Sequence, residues 1–180
     1  MLTLACNQSM HYITDYNSEW PQRFEHITSY LTPFLPGSCQ IHHVGSTAIP
    51  GMPAKDIIDL DIECPLNMMQ TVIAALKKAG YEHEGDKGIL GREAFRPNQF
   101  TEAASLPQHH LYACESGTDE LKKHLAYRDY LLAYPDRAEW LAHQKVAVDN
   151  AAESREAYIQ NKSKFYLLII REALDWANTR

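Results

Sequence analysis

No two of the four cysteines, Cys6, Cys39, Cys64 and Cys114, stand at C-x-x-C spacing. A zinc knuckle is therefore not expected, and reduced, mostly buried thiols are. Positive charge is also short. There are 17 Lys and Arg against 23 Asp and Glu, a net charge of −6, divided 7 against 11 over residues 1–100 and 10 against 12 over the rest. A general nucleic-acid binder carries a basic footprint that this balance lacks. The apolar run Phe165 to Ile170 is far too short to cross a bilayer, and no basic stretch followed by an apolar one opens the chain. The expectation is a cytoplasmic protein without membrane contact. G-x-x-x-x-G-K-[ST] and G-x-S-x-G are both missing, which argues against P-loop ATP chemistry and a serine nucleophile on an elbow. Internal repeats and low-complexity tracts are absent as well.

What is present suits a single α+β unit. At 45% hydrophobic residues, 180 residues hold ample material for a core. An N-terminal arm is expected over residues 1–17, a mixed α/β core over 18–116, and a helical segment over 117–180 packed on that core. Ser18 is placed to cap a helix from about Glu19 to Leu31, with Pro21 in its first turn. Cys39 to Val44 and Ile57 to Cys64 alternate as strands, and Gly45 to Asp56 forms a loop between them. A helix is expected from Asn67, as cap, to Ala79, stopped by Gly80. A hairpin should join Tyr81–Glu84 to Ile89–Phe95, and His110 to Glu115 should add a strand. From Thr118 the pattern is helical, broken near Pro135 and again at 150–154.

The chemistry concentrates where Val44-Gly45-Ser46 is followed, twelve residues on, by Asp59-Leu60-Asp61-Ile62. Two carboxylates two apart on a strand share a face and repel each other unless a cation intervenes. Oxygen-rich sites favour Mg²⁺ or Mn²⁺. A Gly-Ser turn offers bare N–H groups to an anion. Glu63 has the same strand parity. The plainer alternative is an edge strand with a solvated acidic face.

The run from His43 through Gly45-Ser46-Thr47, Pro50-Gly51-Met52-Pro53-Ala54-Lys55-Asp56 to Asp59-Leu60-Asp61 resembles the signature of the GrpB family. Trp20-Pro21, Gly80-Tyr81, His109-His110-Leu111, Leu125 to Leu131 with Tyr134-Pro135, and Tyr158 with Lys162 follow in order, so the resemblance spans roughly residues 12–170. It implies the nucleotidyltransferase fold of the DNA polymerase beta superfamily: a small mixed sheet with flanking helices and a C-terminal helical segment. It further implies that Gly45 and Ser46, with Thr47 and Lys55 in the same loop, contact nucleotide phosphates, and that Asp59 and Asp61 ligate Mg²⁺ or Mn²⁺. His43, His110 and Glu63 would stand behind them. Two departures count. A third carboxylate has no obvious position, Glu93 and Glu115 being candidates without a motif. Where relatives read His-x-Leu-His, this chain ends on Tyr112.

Two cations stand out on helical stripes. Leu121, Leu125, Arg128 and Leu132 share a face, as do Tyr158, Lys162, Phe165 and Ile169. A cation on an apolar stripe needs a partner or an anion. Arg128 and Lys162 are thus candidates for substrate phosphate; the alternatives are an Arg128–Asp56 salt bridge and a snorkelling Lys162. His124 and His143 read as surface or interface residues, and Tyr127, Tyr130 and Tyr134 as core. The leading expectation is a metal-dependent nucleotidyltransferase using a nucleoside triphosphate and a small-molecule or protein acceptor. A non-catalytic nucleotide- or anion-binding module is the rival, and a metal-dependent phosphohydrolase a third reading.

Overall fold

The computed structural model describes residues 11–180; Cys6 and most of the expected arm lie outside them. Five strands form one mixed sheet in the order β1-β2-β5-β4-β3. They are β1 (Gln40–Val44), β2 (Ile58–Cys64), β3 (Tyr81–Gly85), β4 (Arg92–Pro97) and β5 (His109–Glu115), with helices α1 (Trp20–Leu31) and α2 (Met69–Lys78) inserted before β1 and after β2. Helices α3 (Asp119–Ala133), α4 (Pro135–Ala151) and α5 (Arg155–Ala177) complete the chain. Strand β2 is internal, antiparallel to β1 and parallel to β5. The edge-strand alternative for Asp59 and Asp61 is therefore wrong: both flanks of β2 are paired.

Alternation along β2 sends its two faces to two different environments. Ile58, Leu60, Ile62 and Cys64 are all buried in a core completed by Trp20, Ile27 and Leu31 of α1 and by Val72, Ile73 and Leu76 of α2. A second core forms where Ile49 and Met52, from the loop after β1, meet Tyr127 and Leu131 of α3, Leu141 of α4, and Ile169 and Ile170 of α5. The C-terminal helices are thereby fixed to the Gly45–Asp56 loop, the segment that carries the glycine-serine turn. The N-terminal segment is also tied in: Thr14 bridges Ala54, and the Tyr12 backbone N–H donates to Asp149 Oδ1 at 2.7 Å.

Several boundaries differ from expectation for local reasons. The Asn67 side chain caps nothing; its φ is +67°, and α2 begins after it. Ser18 is likewise not the cap of α1, since Asn17 Oδ1 accepts from the Glu19 N–H. The turn between β3 and β4 runs through Leu90 and Gly91, because the Ile89 N–H bonds Asp86 O and the Arg92 N–H bonds Ile89 O. On α3 the buried residues are Leu121, Ala126, Tyr127 and Leu131, while Leu132 is exposed. Arg128 thus lies beside the apolar stripe and does not interrupt it. On α5, Tyr158 and Ile169 are buried on the expected face, with Lys162 between them.

Candidate active site

Gly45 ends β1 with φ +72° and ψ −167°, a backbone conformation essentially confined to glycine. A Cβ there would sit 2.4 Å from Asp59 Oδ2. The turn therefore needs glycine twice over, for its dihedrals and because the Asp59 carboxylate packs against its backbone. Ser46 opens a single 3₁₀ turn, Ser46–Ala48, and its hydroxyl accepts from Lys145 Nζ at 2.9 Å. Lys145 is only 3% exposed, and burial lowers its pKa to about 7, helped by Lys162 and opposed by Asp59. Burial, reinforced by Lys55, also lowers the pKa of Lys162.

The two carboxylates are held alike. His110 Nδ1 donates to Asp59 Oδ1 at 2.8 Å, and His124 Nδ1 donates to Asp61 Oδ2 at 2.7 Å. The bond to Asp59 raises the His110 pKa. For His124, burial works against the charged ring, but the hydrogen bond and charge of Asp61, with Glu120 and Asp59 behind them, outweigh it and raise the pKa. Each carboxylate has one oxygen to spare. Asp61 Oδ1 is buried with no hydrogen-bond partner among the described residues, in a side chain that is 0% exposed.

A cavity of about 220 Å³ opens over this face, walled by Gly45, Ser46, Asp59, Tyr112, Tyr127 and Tyr166 among others. A second chamber, lined by Lys55, Thr47 and His110, shares Ser46, Asp59, Lys145 and Lys162 with the first. The first chamber is aromatic and also carries Arg92, the second is basic through Lys55, and their common wall gives both the serine, a carboxylate and two lysines.

Gly45, Ser46, Thr47, Lys55, Asp59, His110 and Lys162 are thus gathered as the sequence suggested, with Asp61 buried beside them. Three candidates are placed otherwise. His43 pairs with Leu60 on the core face, stacks on Phe24 at 4.7 Å and bonds Thr47 Oγ1. Glu63 is taken up by His42 Nε2 at 2.9 Å. Arg128 donates to Asp129 and to the His43 carbonyl and lines neither chamber. Asp56, its suggested partner, instead accepts from Trp20 Nε1 and Arg23. His124, expected as a surface or interface residue, is the hydrogen-bond partner of Asp61, and Tyr127 is both core and cavity wall. Lys145 is a site residue that the sequence does not single out: its α4 face holds Ala138 and Leu141 but also Asp149, so its spacing reads as an ordinary i, i+4 ion pair. Glu93 and Glu115 pair in register with, or lie on the parity of, Ala113, on the opposite face from Asp61. The β5 residue in register with Asp61 is Tyr112.

Among the described residues no three His, Cys, Asp or Glu side chains form a metal cluster. Mg²⁺ does not require one, since it commonly binds through one or two carboxylates together with water and substrate phosphates. The orphaned Asp61 Oδ1 and the spare oxygen of Asp59 fit that donor set.

A mixed sheet with an internal Asp-x-Asp strand, a Gly-Ser turn beside it and helices closing over that face is the nucleotidyltransferase-type α+β fold. The Cid1 poly(U) polymerase bound to MgATP shares it at a TM-score of 0.50, with 12% identity over 76% of this chain and 43% of that one, a likeness of fold alone. The model of the GrpB protein family matches residues 11–172, and the chain belongs to that family. The structure of the conserved protein GrpB from Enterococcus faecalis superposes at a TM-score of 0.75, with 28% identity over 92% of this chain and 98% of that one. UPF0157 protein YqkA of Bacillus subtilis (strain 168) is 33% identical over 168 residues, 92% of this chain. The chain spans only about half the length of YqkA, 48%. No helix among the described residues is long and apolar enough to cross a membrane.

Proposed function

We propose that the protein is a metal-dependent nucleotidyltransferase that transfers a nucleotidyl group from a nucleoside triphosphate to an acceptor. The observation that carries this reading is the pair Asp59 and Asp61. Each is fixed through one oxygen by a histidine and keeps the other oxygen free, on the face that also presents Ser46, Lys145 and Lys162.

In this reading the basic chamber takes the triphosphate. Lys55, Lys145 and Lys162 supply its counter-charge, and the Gly45–Ser46 turn lets phosphate approach the backbone closely. Asp59 Oδ2 and Asp61 Oδ1 would hold Mg²⁺ or Mn²⁺. A divalent ion so held neutralises triphosphate charge and stabilises the charge that develops on the leaving pyrophosphate. His110 and His124 keep the carboxylates in place and offset their repulsion. The acceptor's nucleophile bonds to the α-phosphorus as the bond to pyrophosphate breaks. The helices roofing the site limit competing water.

One observation favours the rival, a nucleotide- or anion-binding module without turnover. Tyr112 stands in register with Asp61, neither Glu93 nor Glu115 reaches that face, and the carboxylate that does approach, Glu120, is engaged by His124, Lys123 and Arg92, which makes it a poor acceptor for the nucleophile's proton. The deciding experiment is a panel of nucleoside triphosphates with Mg²⁺ or Mn²⁺, reading thermal stabilisation and pyrophosphate release together, with Asp61→Asn as control. Stabilisation with release, both lost in the control, supports the transferase. Metal-dependent stabilisation without release across acceptors supports the module. Neither response in the wild-type protein rejects both.

A further inference from the structure

The cavity has a second cationic end, remote in sequence from the lysines. Arg92, at the start of β4, is 9% exposed and lines the aromatic chamber. Its backbone pairs with Cys114 of β5, which places it on the same sheet face as Tyr112, Asp59 and Asp61. Its guanidinium lies 4.4 Å above the Tyr112 ring. Among the described residues it makes no side-chain hydrogen bond: Nε is buried without a partner, and the nearest carboxylate, Glu120, is 3.6 Å from Nη1. Glu120 is itself shared with His124 and Lys123. A guanidinium presents five donors in a rigid fork; here Nη1 is in a long ion pair with Glu120, while the Nε–H is buried with nothing to meet it, which is costly.

We propose that the acceptor is a small molecule bearing a carboxylate or phosphate group, seated on Arg92 in the aromatic chamber. The word acceptor rests on the nucleotidyltransferase reading above; the anion site itself does not. Strand order places β2 between the Gly45–Ser46 turn that ends β1 and Arg92 on β4. Lys145, bonded to Ser46, and Arg92, stacked over Tyr112, line the same cavity together with Asp59. A triphosphate held by the lysines leaves Arg92 for a different anionic group, with the reacting centre between the two. Arg matches carboxylate and phosphate by paired parallel hydrogen bonds, and Tyr112 holds its plane. A chamber of about 220 Å³ admits a small molecule. The net charge of −6 argues against a polynucleotide acceptor.

The test uses the full chain with Mg²⁺ and α,β-methylene ATP, titrated calorimetrically with three probes of one carbon skeleton: glycerol, glycerate and glycerol 3-phosphate. The two anions are expected to bind at least tenfold more tightly than glycerol, and whichever binds better names the group. Arg92→Gln should remove that preference, and Arg92→Lys should restore part of it, while affinity for the ATP analogue is unchanged in both. Should Arg92→Gln fail to fold because Glu120 loses its counter-charge, Arg92→Gln with Glu120→Gln replaces it. Anions that bind no better than glycerol overturn the proposal, as do anions unaffected by the Arg92 variants. Loss of affinity for the ATP analogue in place of the anion overturns it too, assigning Arg92 to the nucleotide. If the analogue fails to bind wild type while the Arg92-dependent preference persists, the transferase reading falls and the anion site stands.

Discussion

On one face of β2, Leu60 and Ile62 are fully buried among the side chains of α1 and α2. On the other face Asp61 is as deeply buried, yet it is bonded to a histidine that lines a cavity and shares its face with a second carboxylate on the cavity wall. The apolar face is covered by helices that immediately precede β1 and follow β2 in the chain. The polar face is covered by helices that begin more than fifty residues later. Equal burial thus serves opposite ends. Hydrophobic contact holds the first face shut, whereas the second keeps polar atoms out of water at a cost that a ligand can relieve. Such a face is maintained by its surroundings, because α3, α4 and α5 are anchored through their own apolar core to Ile49 and Met52.

The sharpest break between the faces comes from substituting neighbours. Leu60→Ala should lower stability by about 2–5 kcal/mol through loss of buried volume. Its Mn²⁺ affinity per folded molecule should stay at the wild-type value. Asp61→Asn should do the reverse, weakening Mn²⁺ binding at least a hundredfold with little change in apo melting temperature, because the amide oxygen still accepts from His124. Denaturant titration and calorimetry on both variants check this; equal metal affinity in Asp61→Asn and wild type removes Asp61 from the site.

A somewhat smaller effect is expected at the hinge between the faces. Gly45→Ala forces a glycine-only backbone conformation, at about 1–3 kcal/mol. It also drives a methyl group into Asp59, so stability and Mn²⁺ affinity should fall together. A variant that loses stability alone would show that Asp59 shifts without consequence for the metal.

Lys145 sharpens the comparison by pH. Its side chain is a buried cation whose hydrogen bond goes to Ser46. Lys145→Met should leave the apo protein as stable or more so near pH 6, because apolar replacement of a buried charge is often favourable. Triphosphate affinity should drop about tenfold. Because the Lys145 pKa is lowered to about 7, its charge is present below that value and lost above it. The affinity gap between wild type and Lys145→Met should therefore shrink as pH rises from 7. Affinities measured at pH 6, 7 and 8 decide this, and a constant gap rejects the phosphate role. The same shift means that the native state binds fewer protons than the unfolded chain between pH 7 and 10.5, so wild type should gain stability relative to the variant across that window.

The smallest effect on ligand affinity belongs to His43, on the core face. Burial lowers the His43 pKa to about 4. The unfolded chain then takes up a proton near pH 6.5 that the native state refuses until about pH 4, so His43 costs stability as pH falls through that window. The loss should be roughly 1–3 kcal/mol, allowing for partial exposure. His43→Gln should flatten the slope of melting temperature against pH between 6.5 and 4 without changing triphosphate affinity at neutral pH.

Much of this arrangement was legible from residues alone. Period-two alternation placed β1, β2 and β5 within a residue or so of their ends, and the expected breaks near Pro135 and at 150–154 fall where α4 and α5 begin. The Gly-Ser turn and the paired aspartates announced the site because both signals are local: one is a backbone conformation, the other the spacing of charges on one strand. What failed was the reading of isolated side chains. Asn67 has a capping side chain but a left-handed backbone, and Arg128 has stripe spacing but faces the carbonyl of His43.

The sequence by itself determined the alternation of β2, the glycine at the turn and the family to which they belong, since each depends on residues within about twenty positions. Only the tertiary structure decided which far groups meet the aspartates. His124 reaches Asp61 across 63 residues, Lys145 reaches Ser46 across 99, and Arg92 comes into line through the pairing of β4 with β5. Those contacts follow from where the second apolar core docks the helices. That is a matter of packing between distant segments, and local spacing does not encode it.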